Sequence, residues 1–595
     1  MKYAEYLCEK LKDNENYTHC YFVAGGNIMH LLDAARSRFE CIPVVHEVAA
    51  GIAAEYFNET NKEGKKAFVL VTAGPGLTNV VTAIAGAFLE SRELLVIGGQ
   101  VKRTDLKTPK LRQRGIQEID GSSIVDPITN VSILISEPIL YSELRNLLHK
   151  HQKPGPIFLE IPLDVQGIQI ENEDIVTIQN VSEHSSSIEM LKFVESLQNV
   201  LSKSNRPIIL LGGGLAREKA VDLNTLLANC GIPIMTTWNG ADRYGADQIN
   251  YWGRPNTWGQ RSANMLIQQS DCVIAVGTRL GLQQTGFAWE EFAPLAKIFQ
   301  VDIDKNELEK GHPKIFSGLA SDAGEFLEKF LKLTALKDSS FEEWHIFGDK
   351  LIENFPLNDI HNETAKGFID PYEFILELST QSKNEDVIIP CSSGGAFTVT
   401  LQAFKSKFGQ TIVSNKGLAS MGYGLAAAIG AAESTKSRTI LIEGDGGFAQ
   451  NLQELGTVRQ RDLNLKIFIF SNRGYASIRM TQRNYFNGAY LGCDVETGLG
   501  MPNWEFIAKA YNLPYFEMES PEEASSQLKK ILEWEGPTFT VIKIDPDQTY
   551  FPKIMSRVLP DGSMASNPLH SMTPVLLPEQ VAEFLPYLSD RINLR

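Results

Sequence analysis

The stretch TILIEGDGGFAQNLQELGTVRQRDLNLKIFIFSNRGYA, residues 439–476, decides the fold. Two apolar runs, Thr439–Ile442 and Lys466–Phe470, flank the helical pattern NLQELGTVRQ. Hydrophobicity that is continuous rather than alternating implies strands buried on both faces, hence a parallel sheet covered by helices. Open sheets of that kind bind ligands beyond the carboxyl ends of their strands. The first run delivers Gly444-Asp445-Gly446-Gly447 to that edge, and the second delivers Ser471-Asn472-Arg473-Gly474-Tyr475. The Asp445 carboxylate, the Asn472 amide oxygen and the Gly474 carbonyl form a partial set of hard oxygen ligands. Magnesium held that way keeps positions open for phosphate oxygens and water. Gly444, Gly446 and Gly447 let a diphosphate approach the backbone, and the following helix start supplies N–H donors. A GDG tripeptide alone is as ordinary as any tight turn; the second strand ending in Asn gives it weight.

The same pattern extends outward in both directions. Further runs are Ala67–Thr72, Leu94–Gly98, Pro156–Ile161, Pro207–Leu211, Asp271–Val276, Ile298–Ile303, Val387–Ile389 and Phe539–Ile544. The polar stretches Gln166–Ser187 and Thr334–Asp370 read as linkers. They divide the chain into three doubly wound α/β domains with mainly parallel sheets, residues 1–165, 188–333 and 370–550. A tail, 551–595, rich in Pro, Ser and Met, is expected to wrap a surface. A length of 595 residues accommodates this division, and 43% hydrophobic with 22% charged residues excludes a disordered chain. The net charge of −16 argues against nucleic acid or an anionic membrane as partner. The 7 cysteines show neither CxxC nor Cys/His ligand spacing, so neither a disulfide framework nor a zinc site is expected. The opening MKYAEYLCEKLK reads as a charged amphipathic helix rather than a signal peptide, and no long apolar run suggests a membrane span. A cytoplasmic location is the expectation.

The first block carries PVVHEVAAGIAAE, residues 43–55, in which Glu47 opens a helix rich in Ala and Gly. A Glu at a helix start is, by itself, a dipole-favoured surface residue. Its setting changes that reading. Around it stand Ala24-Gly25-Gly26, the loop TAGPGLTN at 72–79, Gly99-Gln100 and Gln117-Glu118, and far downstream GLASMGYGL at 417–425. These stretches resemble the PGG, HEQAAxxAAEGYAR, TSGPGxTN, GQ, QE and GLGTMGFGLP elements of the thiamine-diphosphate-dependent enzymes, whose metal motif pairs GDG with a strand ending in Asn-Asn. The resemblance covers about residues 1–550 and is closest to the acetolactate synthase (acetohydroxyacid synthase) large-subunit type.

That resemblance implies thiamine diphosphate and Mg2+ as cofactors. It implies that Glu47 activates the aminopyrimidine, a role needing a buried carboxylic acid whose pKa desolvation raises. Gln117, Gly25 and Gly26 would line the substrate side. Thr72, Pro75, Gly76, Asn79, Gly394, Gly395, Ser420, Gly444, Gly446, Gly447, Tyr475 and Ala476 would contact the cofactor. Met421, bulky and polarizable, would wedge between its rings. Asp445, Asn472 and Gly474 would hold the metal. The implied reaction decarboxylates a 2-oxo acid, pyruvate by default, and joins the two-carbon unit to a second carbonyl compound. The implied assembly is a homodimer or homotetramer with each site between the first block of one subunit and the third of another.

Departures concern the acceptor and the middle block. Ser471 replaces the first Asn of the pair, and Ala24 replaces a Pro. Thr481 stands where branched-chain synthases carry a pocket Trp, Gly115-Ile116 replaces Ala-Phe, and Gly394-Gly395-Ala396-Phe397 replaces GQHQ. A less aromatic wall suits an acceptor bulkier than a 2-oxo acid, as in synthase-like carboligases of surface-sugar and secondary-metabolite pathways. The segment Gly277–Gly286 keeps Arg279 of the flavin-site pattern GARFDDRVTG but loses both Asp and the second Arg, so FAD and an empty structural domain both stand as readings. Two further activities compete: simple non-oxidative decarboxylation, and a flavin- or nicotinamide-binding oxidoreductase built on the turn Gly212–Gly214, which lacks a full GxGxxG.

Overall fold

The structure, a computed structural model, describes residues 1–149, 153–171, 187–334, 341–558 and 561–589. The first sheet contains β1 (Tyr17–Phe22), β2 (Glu40–Pro43), β3 (Lys66–Val71), β4 (Leu94–Gln100), β5 (Val131–Leu134) and β6 (Pro156–Pro162) in the order β2-β1-β3-β4-β6-β5. The second contains β7 (Pro207–Leu211), β8 (Ile234–Thr236), β9 (Cys272–Val276), β10 (Lys297–Asp302) and β11 (Ser317–Ala320), ordered β11-β10-β9-β7-β8. The third contains β12 (Val387–Pro390), β13 (Thr411–Ile412), β14 (Thr439–Gly444), β15 (Leu465–Ser471), β16 (Tyr515–Met518) and β17 (Thr538–Lys543), ordered β13-β12-β14-β15-β17-β16. All three are parallel α/β sheets, as the continuous apolar runs require.

The first and third sheets repeat one strand order. Each sheet has a switch point where winding reverses, at β1/β3, β7/β9 and β12/β14, and a crevice opens beyond the strand ends there.

Two helices join the first and third sheets, Glu47–Thr60 and Tyr423–Thr435. Their facing surfaces are built from small residues, so backbones approach closely: a Cβ on Gly430 would lie 2.0 Å from the Ala53 carbonyl oxygen. One hydrophobic core runs across both domains. Within it Glu55, fully buried, accepts from Arg92 Nη1 at 2.8 Å and from the Tyr423 hydroxyl, while Arg92 Nη2 reaches the Ser414 carbonyl at 2.6 Å. Arg217 extends the ionic chain into the middle domain, pairing with Glu59 at 2.5 Å and Asp242 at 2.6 Å.

The stretch expected to be a linker, Thr334–Asp370, contains a 13-residue helix, Glu342–Asn354. Trp344 and Leu351 are buried, Phe347 stacks on Trp344, and Trp252 lies so close to Gly348 that a Cβ there would meet its ring at 2.1 Å. Residues 335–340 of that stretch, and 172–186 of the Gln166–Ser187 stretch, lie outside the described residues. In the tail, Leu569, Phe584, Leu585 and Leu588 pack into the middle domain's core, while residues 559–560 and 590–595 lie outside the described residues.

Two outcomes are expected. Gly430→Val should lower the thermal midpoint sharply, by the equivalent of about 3 kcal/mol or more, because backbone cannot move aside for the new atoms. Gly456→Ala, whose Cβ would find ordinary contacts beyond 3.5 Å at Tyr511, should leave it unchanged or slightly raised. The second outcome concerns Glu160 on β6, which is buried and accepts from Gln100 Nε2 at 2.9 Å. Burial pushes its pKa from 4.5 up to about 8. A folded-state pKa above the unfolded one means a stabilising contribution that is full below pH 4.5 and lost as pH rises through about 8. The midpoint of Glu160→Gln relative to the unsubstituted protein should therefore climb between pH 5 and pH 9 (about the span the two pKa values bracket); a constant offset would contradict the assignment.

Candidate functional site

The third sheet's crevice gathers one half of the candidate residues. β12 leads into Ser393 and the ten-residue helix Gly394–Ala403, whose N-cap side chain makes no capping bond, leaving first-turn N–H groups for a ligand. β14 leads into Gly444 and the short helix Asp445–Phe448. β15 leads into Ser471-Asn472-Arg473-Gly474, with Gly474 at φ 151°. A Cβ on Gly394 or Gly444 would meet nothing within 4 Å, whereas one on Gly395 would strike the Tyr550 ring at 2.9 Å. The backbone thus faces open space on one side and is backed by an aromatic ring on the other.

Asp445 is buried. Its Oδ1 accepts from the Gly446 N–H at 2.8 Å, and its Oδ2 accepts from the N–H groups of Asn472 at 3.0 Å and Arg473 at 2.8 Å. Burial pushes its pKa up to about 6, which those N–H donors only partly offset. A cation beside it would favour the charged form. Asn472 Oδ1 is buried with no hydrogen-bond partner. The Gly474 carbonyl oxygen lies 3.6 Å from where a Gly446 Cβ would sit, so the loop carbonyl faces the same turn. One carboxylate, one orphaned amide oxygen and one carbonyl fit magnesium. Among the described residues no cluster of three or more His, Cys, Asp or Glu could hold a metal.

The remaining third-domain candidates flank this turn. The Tyr475 ring packs on Gly446, 2.4 Å from its would-be Cβ, and Ala476 begins the helix Ala476–Tyr485. Gly447 faces Glu443. The Ser420 carbonyl accepts from Ser392 Oγ. Met421, 40% exposed, precedes Gly422 at φ 82° and touches the Gln450 amide through sulfur at 3.7 Å. Thr481 turns its hydroxyl back to the Ser477 carbonyl at 2.9 Å.

The first sheet's crevice gathers the other half. β1 leads to Gly25-Gly26 and β3 to Thr72, and a Cβ on Gly25 would meet Thr72 Cβ at 2.4 Å. Gly26 faces open space, Pro75 and Gly76 open the helix Pro75–Glu90, and Asn79 Nδ2 on that helix donates to Glu47 Oε2 at 2.9 Å. Glu47 is only 8% exposed at the head of its own helix, and among the described residues its Oε1 has no partner. Gln117 adopts φ 62°, unusual for a residue with a side chain, with its carbonyl against Gly74. That loop is anchored by Glu118, whose carboxylate accepts backbone N–H groups of Lys107, Arg114 and Gly115 at 2.5–2.9 Å. Burial pushes the Glu118 pKa up, and these donors overcome it, leaving it lowered.

Among the described residues no hydrogen bond joins a residue of one half to a residue of the other. Besides the Glu55, Arg92 and Tyr423 bonds, ties between the two domains run through Glu90, whose Oε1 accepts the N–H groups of Lys416 and Gly417, and through Glu454, which sequence reading passed over. Its carboxylate, fully buried in the third domain, accepts the N–H groups of Val45 and His46, both at 3.0 Å. Two other passed-over residues brace the metal turn: Arg479 Nη2 donates to the Asn472 carbonyl at 3.2 Å and its Nε lies 3.4 Å from Asp494. Arg479 lies on the helix that Ala476 begins, whereas Asp494 lies beyond that helix and had no signal in the sequence.

The middle sheet's crevice differs. The N–H of Gly212 donates to the Val276 carbonyl and that of Gly214 to the Gly277 carbonyl, both at 2.9 Å, and a Cβ on Gly212 would lie 2.2 Å from the Gly277 oxygen. Two of the turn's N–H groups are thus bonded to the neighbouring strand end and loop, while Gly281 in the same region faces open space.

Three domain models match the chain in sequence order: the N-terminal TPP binding domain of thiamine pyrophosphate enzymes over residues 1–124, their central domain over 194–330, and their C-terminal TPP binding domain over 393–543. An acetolactate synthase large subunit from Cyanidium caldarium is 29% identical over 525 residues, 86% of this chain and 87% of that one. A probable acetolactate synthase large subunit from Methanocaldococcus jannaschii is 29% identical over 564 residues, covering 92% of each. The acetolactate synthase isozyme 1 large subunit of Escherichia coli is 27% identical over 544 residues, 89% of this chain and 92% of that one. With all three domains matched in order, this chain belongs to the thiamine pyrophosphate enzyme family and is similar along most of its length to acetolactate synthase large subunits.

Proposed function

We propose that this chain is a thiamine-diphosphate- and Mg2+-dependent 2-oxo acid decarboxylase and carboligase. It would take a two-carbon unit from pyruvate and join it to a second carbonyl compound. The observation that carries this is the buried, unpartnered Oδ1 of Asn472 beside Asp445, an oxygen pair suited to a hard cation. When bound, thiamine diphosphate supplies a nucleophilic carbon and an electron sink for loss of carbon dioxide. Residues 370–550 would hold its diphosphate, through the N–H groups at Gly394–Gly395 and Gly444–Gly447 and through magnesium on Asp445, Asn472 and the Gly474 carbonyl. Tyr475, Ala476, Ser420 and Met421 would contact its body.

Residues 1–165 would hold its pyrimidine against Thr72, Pro75, Gly76 and Asn79. Asn79 fixes Glu47 Oε2 and so presents Oε1, free of protein partners, to exchange a proton with the pyrimidine. Gln117, on its anchored loop, and the Gly25-Gly26 turn would exclude water from the carbonyl substrate and orient it. Residues 188–333 would act as a scaffold, with or without a bound flavin, since no step of the proposed decarboxylation and carboligation is a net redox change. Large apolar side chains stand exposed on both halves, Val45 and Ile116 on one, Met421, Ile478 and Leu491 on the other. They support completion of each site by a second copy, in a homodimer or homotetramer. Seven free cysteines suit a reducing, cytoplasmic setting. Among the described residues no helix is long and apolar enough to cross a membrane.

Glu47→Gln should keep thiamine diphosphate binding within a few-fold by calorimetry while turnover falls about 100-fold or more. Turnover like that of the unsubstituted enzyme would remove Glu47 from the chemistry. Asn472→Ala should raise the Mg2+ concentration for half-activation at least about tenfold, the loss of one charge-assisted ligand. Products of pyruvate with a panel of aldehydes, 2-oxo acids and keto-sugars, read by mass spectrometry, should include a compound two carbons larger than an acceptor. Acetaldehyde alone would identify a simple decarboxylase.

A further inference from the structure

We infer that Glu454, a residue of the third domain, is the positioning residue that sets the turn carrying Glu47. The inference rests on the reading of Glu47 as the activating acid. Val45 and His46 lead into the helix Glu47–Thr60, and both of their N–H groups donate to Glu454. The N-cap His46, extended at φ −139° and ψ 138°, makes no side-chain capping bond. The usual local means of fixing a helix entry is therefore missing just where the active carboxyl begins.

Glu454 supplies it from another domain. Its Oε1 accepts both N–H groups at 3.0 Å, and its Oε2 takes the Thr457 hydroxyl at 2.7 Å and a second, longer approach from the Val45 N–H at 3.3 Å. The carboxyl is fully buried. A buried carboxyl group is retained against its desolvation cost only where such donors satisfy it. Glu454 also closes a short segment that begins at the metal carboxylate. Asp445 opens it, Asn451 Nδ2 holds the Gly422 carbonyl at 3.2 Å next to Met421, and Glu454 ends it on the Glu47 turn. Displacement of the metal turn would be felt at Glu47 through ten residues of chain and two hydrogen bonds.

Two measurements test this on Glu454→Ala and Glu454→Gln. In the cofactor-free protein, peptide-level hydrogen exchange over residues 43–47 should speed up at least about tenfold in Glu454→Ala, since the acceptor of two protected amides is gone. In the holoenzyme with Mg2+, exchange of the C2 hydrogen of bound thiamine diphosphate should slow at least about tenfold at saturating cofactor, with the cofactor dissociation constant within about threefold. Glu454→Gln, which keeps one acceptor oxygen, should fall between, and it carries the test if the Ala variant does not fold. Amide exchange unchanged in both variants would overturn the hydrogen-bonding claim. Amide exchange accelerated with C2 exchange within twofold of the parent would overturn the positioning claim, leaving a structural tie alone. Glu47→Gln serves as the reference: if its C2 exchange is undiminished, the reading of Glu47 fails, whatever Glu454 does.

Discussion

The close packing of the helices Glu47–Thr60 and Tyr423–Thr435 is the constraint from which the rest follows. Their contact leaves no room for a side chain at Gly430, so the two backbones have essentially one way to meet. The buried Glu55–Arg92 pair inside that contact makes it specific as well as tight. Charges taken out of water are costly unless every lone pair and N–H finds a partner, and Tyr423 and Ser414 of the third domain complete what Arg92 and Glu55 of the first begin. Neither domain could shift against the other without exposing an unpaired charge to an apolar surrounding. The two open crevices are therefore held in fixed relation within a chain, and Glu454 is a second tie across the same boundary.

Three sheets wound by nearly the same rule present three switch points, and their glycines are used in two ways. At the outer crevices Gly26, Gly394 and Gly444 free the backbone toward open space. At the middle one Gly212, Gly214 and Gly277 permit the opposite, two loops approaching until each satisfies the other's N–H and carbonyl groups. The same residue type thus serves a ligand in one place and self-closure in another. What separates the two cases is whether the amides are already spent.

The sequence was legible where chemistry is local. Continuous apolar runs such as Leu94–Gln100 are buried at every position, and the turns after them, GDGG and TAGPG, stand at the strand ends their glycines suggested. It was less legible at the sheet edges. β2, β5 and β16 are four-residue strands with half-exposed polar positions, so their pattern merges with loop. The helix Glu342–Asn354 carries Trp344, Ile346, Phe347, Leu351 and Ile352, but the charged and Asn-rich residues around it made the whole stretch read as linker. The ties were least legible of all. Glu454 bonds to the backbone of residues more than 400 positions away, and a backbone N–H leaves no trace in sequence. Arg92 and Glu55 would read equally well as surface charges, since burial and not spacing makes them partners.

An acidic chain that binds a diphosphate poses an electrostatic problem, and the arrangement of donors answers it. A net charge of −16 opposes an anionic ligand at long range, but that repulsion is screened over about 10 Å in ordinary salt. Within that distance the field belongs to helix starts and, under the proposed function, to a cation between Asp445 and Asn472. Backbone N–H groups carry no net charge, so the empty cleft does not attract stray anions as strongly as a lysine cluster would. A metal that arrives with the diphosphate brings its positive charge only when the negative charge comes too. The burial that pushes Asp445 up to about 6 works in the same direction, since the carboxylate is at ease only with its cation in place. Binding of metal and cofactor would then be mutually reinforcing, each removing the electrostatic cost of the other.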